Sequence, residues 1–341
     1  MNIAICGGGN LGHVCIGVLG ADSRNKVSLL TSRPTQWGQK ITVSDVDGKT
    51  YEGCVSKCSD QASQIVNDAD LVLLCLPGYA IHEVLRNIAP FLPKKCIVGA
   101  VVSSTGFFFE AFKILPPDQP LFGFQRVPFI SRTTQYGHSA ELKGYKPLLR
   151  IAVEQADNRE AIRQTVEHLF ATPTELLSSY YEVSLSNSNP LLHTSRLYTM
   201  WKDWQPGITY ERNPYFYAEW TEQAASLYID MDVEFQKLLR TIGLKDGSIP
   251  SVLDYYDSTD AKSLTQKIST IPAFQGILSP MTQNANGRFL PDFHSRYFTE
   301  DFPYGMRFIV ETAEKYHQPT PLIREVYSWG IEKIECFSQH K

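Results

Sequence analysis

"NIAICGGGNLGHVCIGVLG", residues 2–20, decides the fold. A short apolar run meets three glycines, and apolar residues then recur at helical spacing. The order is strand, glycine turn, helix. Gly7, Gly9 and Gly12 stand in the GxGxxG pattern. The first permits a tight turn, the second lets the backbone approach a pyrophosphate, and the third lets the helix pack closely on the sheet. The phosphates would sit at the helix N-terminus, beside the backbone of Asn10 and Leu11, where unpaired N–H groups and the dipole favour anions. Alone the pattern is weak. Here it follows a strand, opens a helix and begins a βαβ unit, which is the context it requires.

Outward from this turn, "KVSLLTSR" (26–33) predicts a second buried strand, "ADLVLLCLPG" (69–78) a third and "KCIVGAVVSSTG" (95–106) a fourth. "AIHEVLRNIAPFL" (80–92) has helical spacing. Continuous apolar strands alternating with amphipathic segments indicate a parallel sheet covered on both faces. From about Pro120 the strands shorten: "LFGFQRVPF" (121–129), "GHSAELKG" (137–144) and "KPLLRIAVE" (146–154). "NREAIRQTVEHLF" (158–170) predicts a helix, and "TELLSSYYEV" (174–183) a strand or connector. After Ser184 the chain becomes helical. "YAEWTEQAASLYIDMDVEFQKLLRTIG" (217–243) is a long amphipathic segment with Gly243 as its C-cap. "YGMRFIVETAEKYH" (304–317) and "TPLIREVYSWGIEKIECF" (320–337) are helices, the second with Pro321 in its first turn. "ILSPMTQNANGRFLPDFHSR" (277–296) reads as loop. The expected fold is α/β plus all-α: a Rossmann-type doubly wound sheet over residues 1–180, then a helical domain over 181–341, with the boundary near 178–184.

The bulk numbers agree with a two-domain globular protein. The chain has 341 residues, 43% hydrophobic and 20% charged. A net charge of -4 gives no reason to expect a nucleic-acid partner. The seven cysteines are spread singly, and an odd count fits a reducing cytoplasm. Cys6, Cys75 and Cys96 lie in apolar strand-like runs as buried thiols. Cys54 and Cys58 lack a second pair to complete a zinc site, so no metal is expected. A strand that starts at Asn2 leaves no room for a targeting segment before it. The apolar runs fall far short of the ~20 residues of a membrane span. A cytoplasmic protein acting on small molecules is the expectation.

The cofactor can be narrowed. An NAD site usually carries Asp or Glu ~20 residues past the glycine turn, where it holds the ribose hydroxyls. That position reads Thr31-Ser32-Arg33, with Asp22 too early and Asp45 too late. Two hydroxyls and a guanidinium suit a 2′-phosphate. NADP is therefore expected, with NAD as the alternative. "LPGYA" (76–80) ends the third strand at the carboxyl edge of the sheet, so backbone at Leu76 and Pro77 is expected to touch the cofactor.

A dinucleotide domain followed by a helical one is a dehydrogenase layout, and hydride transfer to C=O or C=N needs a proton donor. Histidine suits that role near neutral pH. Of eight histidines, His13 lies too close to the glycine turn, His168 and His317 fall in surface-rich helices, and His340 is in the tail. His193, in "LSNSNPLLHTSR" (185–196), sits just past the boundary, where the second domain would face the cofactor. Pro190 fixes the start of its helix, Asn189 can cap it, and Arg196 follows on the same face.

Three stretches now resemble one family, the opine dehydrogenases (the octopine and nopaline dehydrogenase group). "GGGNLGH" is the first. "SNPLLH" resembles the family's Asn-Pro-x-x-His motif. "SRYFTEDFPYGM" (295–306) resembles its Arg-Tyr-x-x-Glu-Asp-x-Pro-x-Gly block. The likeness spans essentially the whole chain. It implies His193 as acid/base, Asp301 as its carboxylate partner, Arg296 on cofactor phosphate or helping to close the domains, and Asn189 beside the nicotinamide or at the helix start. It implies condensation of an amino acid with a 2-keto acid and reduction of the imine by NAD(P)H. The substrates would be carboxylates, so an arginine should meet them; Arg126, Arg132 and Arg196 are the candidates.

Plainer readings compete. His193 could be a packed histidine at a helix start, and Asp301 a helix-terminal carboxylate favoured by the dipole. Trp201 and Trp204 fit core packing better than a pocket wall. The chain departs from the family at "IDMDVEF" (229–235), where an arginine tends to follow the acidic pair, and in its short length. Two other functions remain open. A ketopantoate-reductase-like enzyme would carry a lysine before the asparagines, and Glu182 to Asn189 contains none. A dinucleotide sensor would not need a poised His and Asp. Exposed apolar helix faces make a homodimer the expectation for assembly.

Overall fold

The computed structural model describes residues 1–338; His340 lies outside them. The chain divides into two compact units, Met1–Ser186 and the part from Asn187 on.

The first unit alternates strands and helices. It opens β1 (Asn2–Cys6), α1 (Asn10–Gly20), β2 (Lys26–Leu30), β3 (Lys40–Asp45), β4 (Thr50–Ser59) and α2 (Ala62–Val66). It continues β5 (Leu71–Leu74), α3 (Gly78–Ile88), β6 (Ile97–Ala100), α4 (Phe107–Ile114), β7 (Leu121–Phe124), β8 (Phe129–Gln135) and β9 (Ser139–Tyr145). β10 (Leu149–Glu154), α5 (Arg159–Phe170), β11 (Thr174–Leu176) and α6 (Tyr180–Ser184) complete it. All eleven strands join one sheet, in the order β11-β10-β7-β6-β5-β1-β2-β4-β3-β9-β8. The run from β7 to β4 is parallel.

Alternation along the central strands builds two cores. Ile3 and Ile5 face one side, with Val14, Ile16 and Leu19 of α1 and Ile162, Val166 and Phe170 of α5. Ala4 and Cys6 face the other, with Ile65 of α2, Ile81 and Leu85 of α3, and Phe107 and Phe108 of α4. The sheet is doubly wound.

The sheet is wider than the sequence predicts, because β3, β4 and β8 lie outside the strands read from it. β3 and β4 form an antiparallel hairpin, β9 pairs parallel with β3, and β8 closes the edge antiparallel to β9. Helix α1 packs on β4, β3 and β8 as well as on the sheet centre. Gly17 allows this, since a Cβ there would lie 2.2 Å from Val43 Cγ2.

The second unit contains α7 (Asn189–Trp201), α8 (Glu222–Thr241), α9 (Val252–Tyr255), α10 (Ala261–Thr270), β12 (Met281–Gln283), β13 (Phe289–Pro291), α11 (Arg296–Thr299), α12 (Arg307–Lys315) and α13 (Pro321–Ser338). Its core is aromatic: buried Trp201 stacks on Phe298, which stacks on Phe302. Trp204 packs on Phe293 in the same core.

Three expectations change here. The stretch 277–296 is not all loop, because β12 and β13 pair antiparallel around Asn284–Gly287. The long helix begins only at Glu222, where the Thr221 hydroxyl accepts the Ala224 N–H at 3.2 Å; residues 217–220 are thereby released from the helix. Tyr304–Met306 belong to a π-helical turn, Phe302–Met306, ahead of α12. Among the described residues no helix is long and apolar enough to cross a membrane.

Candidate active site

In the first unit, the carboxyl ends of β1, β2 and β5 open onto a cleft of about 690 Å³. Gly7, Gly8 and Gly9 form its floor. Gly7 has φ +113°, a left-handed value, and a Cβ there would lie 2.5 Å from the Cys75 carbonyl oxygen. A Cβ on Gly12 would lie 2.0 Å from the Gly7 carbonyl oxygen, so the helix start and the turn touch. Gly9 has nothing within 4 Å of its would-be Cβ. It is also the N-cap of α1, and no side chain caps that end. The first turn of α1 therefore keeps its N–H groups for an anion, above a backbone open to close approach. This cradle fits a dinucleotide pyrophosphate.

Thr31, Ser32 and Arg33 line the cleft on the β2 side, and Leu76 and Pro77 line it at the end of β5. Leu11 is half-buried and packs into the core. Asn10 turns away from the cleft floor, and its Oδ1 accepts the Thr133 N–H at 2.9 Å. Asp60, Glu83 and Tyr136 also line the cleft, and sequence reasoning missed all three. Asp60 follows β4, which lies beside β2 and belongs to a β3–β4 hairpin that the sequence reading does not predict.

In the second unit, His193 and Asp301, 108 positions apart, are in contact. The imidazole Nδ1–H donates to Asp301 Oδ2 at 2.7 Å. Nε2 pairs with the Tyr217 hydroxyl, also at 2.7 Å. Both members of this histidine–carboxylate pair are largely buried, with side-chain exposures of 11% and 14%. Tyr217 is 5% exposed, and its ring stacks on Phe274 at 4.2 Å. Burial, and then the neighbouring Tyr297 hydroxyl, push its phenol well above the usual tyrosine range, so the O–H keeps its proton. Tyr297 bonds to Tyr217 and meets the His193 ring edge-on at 4.8 Å. A carboxylate, an imidazole and two phenols thus form one hydrogen-bonded chain.

Local packing explains why two distant motifs make one site. Asp301 is followed by the π-helical turn, a rare form that is frequent at functional sites. Gly305 in that turn packs against Pro190 in the first turn of α7; a Cβ on Gly305 would lie 2.5 Å from Pro190 Cγ. Phe302 seats on Gly330 of α13, where a Cβ would lie 2.0 Å from the ring. The Pro of one motif and the Gly of the other are a contact pair that brings the carboxylate to the imidazole.

The remaining candidates fall elsewhere. Arg196 is buried, with Nη2 on the Glu219 carbonyl at 2.6 Å and Nη1 on the Thr221 hydroxyl at 3.3 Å. Burial lowers its guanidinium to about 10. Its amino groups hold the turn that carries Tyr217 rather than offering a fork to a substrate, which corrects the expectation of substrate binding. Arg126 donates to the Ser186 carbonyl at 2.7 Å and to its hydroxyl at 3.4 Å, anchoring the end of the first unit. Asn189 does not cap α7. It is exposed in the first turn, and its N–H donates to Asn187 Oδ1 at 3.2 Å. Arg296 opens α11 with its side chain exposed. Arg132 is exposed on β8.

A glycine cradle for a dinucleotide and a histidine–carboxylate pair are the working parts of a dinucleotide-dependent dehydrogenase. Residues 176–333 match the family model described as NAD/NADP octopine/nopaline dehydrogenase, alpha-helical domain. Residues 3–123 match that of ketopantoate reductase PanE/ApbA. The tauropine dehydrogenase of Arabella iricolor is 26% identical, over 96% of this chain and 90% of its own. The opine dehydrogenase of Haliotis discus hannai is 25% identical, over 98% and 90%. A solved octopine dehydrogenase with NADH and L-arginine superposes with a TM-score of 0.85 over 98% of this chain and 90% of that one, at 23% identity. Over nearly its whole length the chain is similar to NAD(P)-dependent opine dehydrogenases.

Proposed function

We propose that this protein condenses an amino acid with a 2-keto acid and reduces the resulting imine, using NADPH and the His193–Asp301 pair. The observation that carries the reading is the 2.7 Å contact between His193 Nδ1 and Asp301 Oδ2 in a buried site. A carboxylate on Nδ1 fixes the tautomer and the orientation of the ring, leaving Nε2 as the nitrogen that moves a proton. That proton is needed when the keto oxygen leaves as water, and its return when the incoming ammonium must become a free amine. General acid–base help of this kind is worth ~100- to 10,000-fold. Tyr217, seated on Nε2, orients the ring from the other side. Bound NADPH supplies the hydride. Gly7, Gly9 and the first turn of α1 would hold its pyrophosphate, and Arg33 with Ser32 its 2′-phosphate. Arg296, with an exposed guanidinium, is assigned to phosphate or substrate carboxylate.

The test is NADPH oxidation with pyruvate and other small keto acids, with and without pooled amino acids, for wild type and His193→Ala. Turnover that requires the amino acids and collapses in the variant is expected. Turnover with keto acid alone would replace imine reduction with the ketopantoate type of reaction, to which residues 3–123 are similar. Tight NADPH binding without turnover on any pool would favour a sensor.

A further inference from the structure

The hairpin formed by β8 and β9 has no part in the minimal dinucleotide fold, yet its tip reaches the cofactor cleft. Tyr136, at that tip, lines the cleft. Its hydroxyl lies 2.9 Å from the would-be Cβ of Gly8, and the Thr31 hydroxyl lies 3.1 Å from the same point. The Arg33 guanidinium sits 5.8 Å from the centroid of its ring. A hydroxyl donor and a guanidinium thus meet beside the end of β2, where the adenosine ribose lies in folds of this kind.

The hairpin is held there by the two polar side chains of "GGGNLGH" that no phosphate needs. Asn10 Oδ1 accepts the Thr133 N–H at 2.9 Å. His13, fully buried, accepts the Gly137 N–H on Nε2 at 2.7 Å and donates from Nδ1 to the Gly9 carbonyl at 2.9 Å. Trp37 fills the space between, 4.2 Å from the His13 ring and 5.5 Å from the Tyr136 ring. Gly137 returns a carbonyl to the Gly38 N–H at 3.0 Å. The glycine turn, the segment after Arg33 and the hairpin tip form one interlocked body.

We infer that Tyr136 and Arg33 together form the receptor for the 2′-phosphate of NADPH, and that Asn10 and His13 are positioning residues that hold the hairpin over it. The inference rests on the NADP reading above. Asp60 on the same cleft is the competing group: a carboxylate there would favour the free 2′-hydroxyl of NADH and repel a phosphate. Its Oδ1 is engaged by the Gln61 amide at 3.2 Å.

The experiment is calorimetric titration of wild type, Tyr136→Phe, Arg33→Gln and Asn10→Ala with NADPH, NADH and adenosine 2′,5′-bisphosphate. Wild type should bind NADPH more tightly than NADH. Tyr136→Phe should weaken NADPH and the bisphosphate about 10-fold, the scale of one hydrogen bond to a charged group, and leave NADH within about twofold. Arg33→Gln should weaken them further. Asn10→Ala should reproduce the Tyr136→Phe loss, with no added loss in the double variant, because both act through the same hydroxyl. Unchanged NADPH affinity in Tyr136→Phe overturns the inference. Equal loss for NADPH and NADH overturns it too, placing the hydroxyl on the pyrophosphate. A wild type that prefers NADH defeats the NADP reading itself and points to Asp60. A thermal melt of each variant separates lost contacts from lost folding.

Discussion

His13 and His193 make an instructive pair. Each lies in the first half of a helix, behind a motif residue, and is buried to 0% and 8% exposure. Their partners differ in kind. Both nitrogens of His13 bond to backbone, a carbonyl and an amide that never titrate. His193 lies between two side chains, a carboxylate and a phenol, rather than between backbone groups. Burial alone says little about whether a histidine is chemical or structural; the chemistry of its two neighbours decides.

The sharpest way to break this comparison is to remove each imidazole. His193→Ala should lower kcat ~100- to 10,000-fold, while NADPH titration shows the cofactor still bound. A variant within about threefold of wild type would make His193 as structural as His13. Gly305→Ala attacks the same site from behind. Its methyl would meet Pro190 at 2.5 Å, so stability should fall by about 1–3 kcal/mol, and kcat should fall with it as the turn carrying Asp301 shifts. A melt shows the first effect, and initial rates the second. Tyr217→Phe keeps the stack on Phe274 but takes the hydroxyl off Nε2. It should cost about 1 kcal/mol of stability and about 10-fold in kcat, with KM little changed. A full-rate variant would show that the hydroxyl leaves Nε2 before chemistry.

These expectations also mark what is legible in the sequence. The glycine turn is legible because its three glycines stand at fixed spacing within one strand-turn-helix, even though Gly7 also answers the Cys75 carbonyl just past β5. His193 and Asp301 are legible only as halves of two motifs. Their contact depends on Pro190 against Gly305 and Phe302 against Gly330, steric matches that no spacing announces. Tyr217 is hidden because residues 217–220 continue the helical pattern of α8 without belonging to it, and Thr221 as the cap is the signal that could have released them. Tyr136 is hidden because the outer sheet is read only in part, with β9 matched by 137–144 and β3, β4 and β8 unread. Its signal is present in Asp47-Gly48, a turn pair between alternating runs that become β3 and β4.

The smallest expected effect separates the two histidines most cleanly. Burial lowers the His13 pKa below the ordinary 6.5, because a charged ring there would lose water and face the Gly137 N–H with no acceptor left. The unfolded chain, with an ordinary histidine, binds the extra proton first as pH falls. Stability from this site is therefore complete above about 6.5 and declines below it, until the folded-state pKa is passed. A glutamine can give an amide N–H to the Gly9 carbonyl and an amide oxygen to the Gly137 N–H without titrating. His13→Gln should thus lower the melting temperature slightly near neutrality, yet flatten its fall below about pH 6.5 relative to wild type. Parallel profiles for the two proteins would mean that His13 takes up its proton in the folded state. The backbone clamp that distinguishes it from His193 would then have to open to admit the charge.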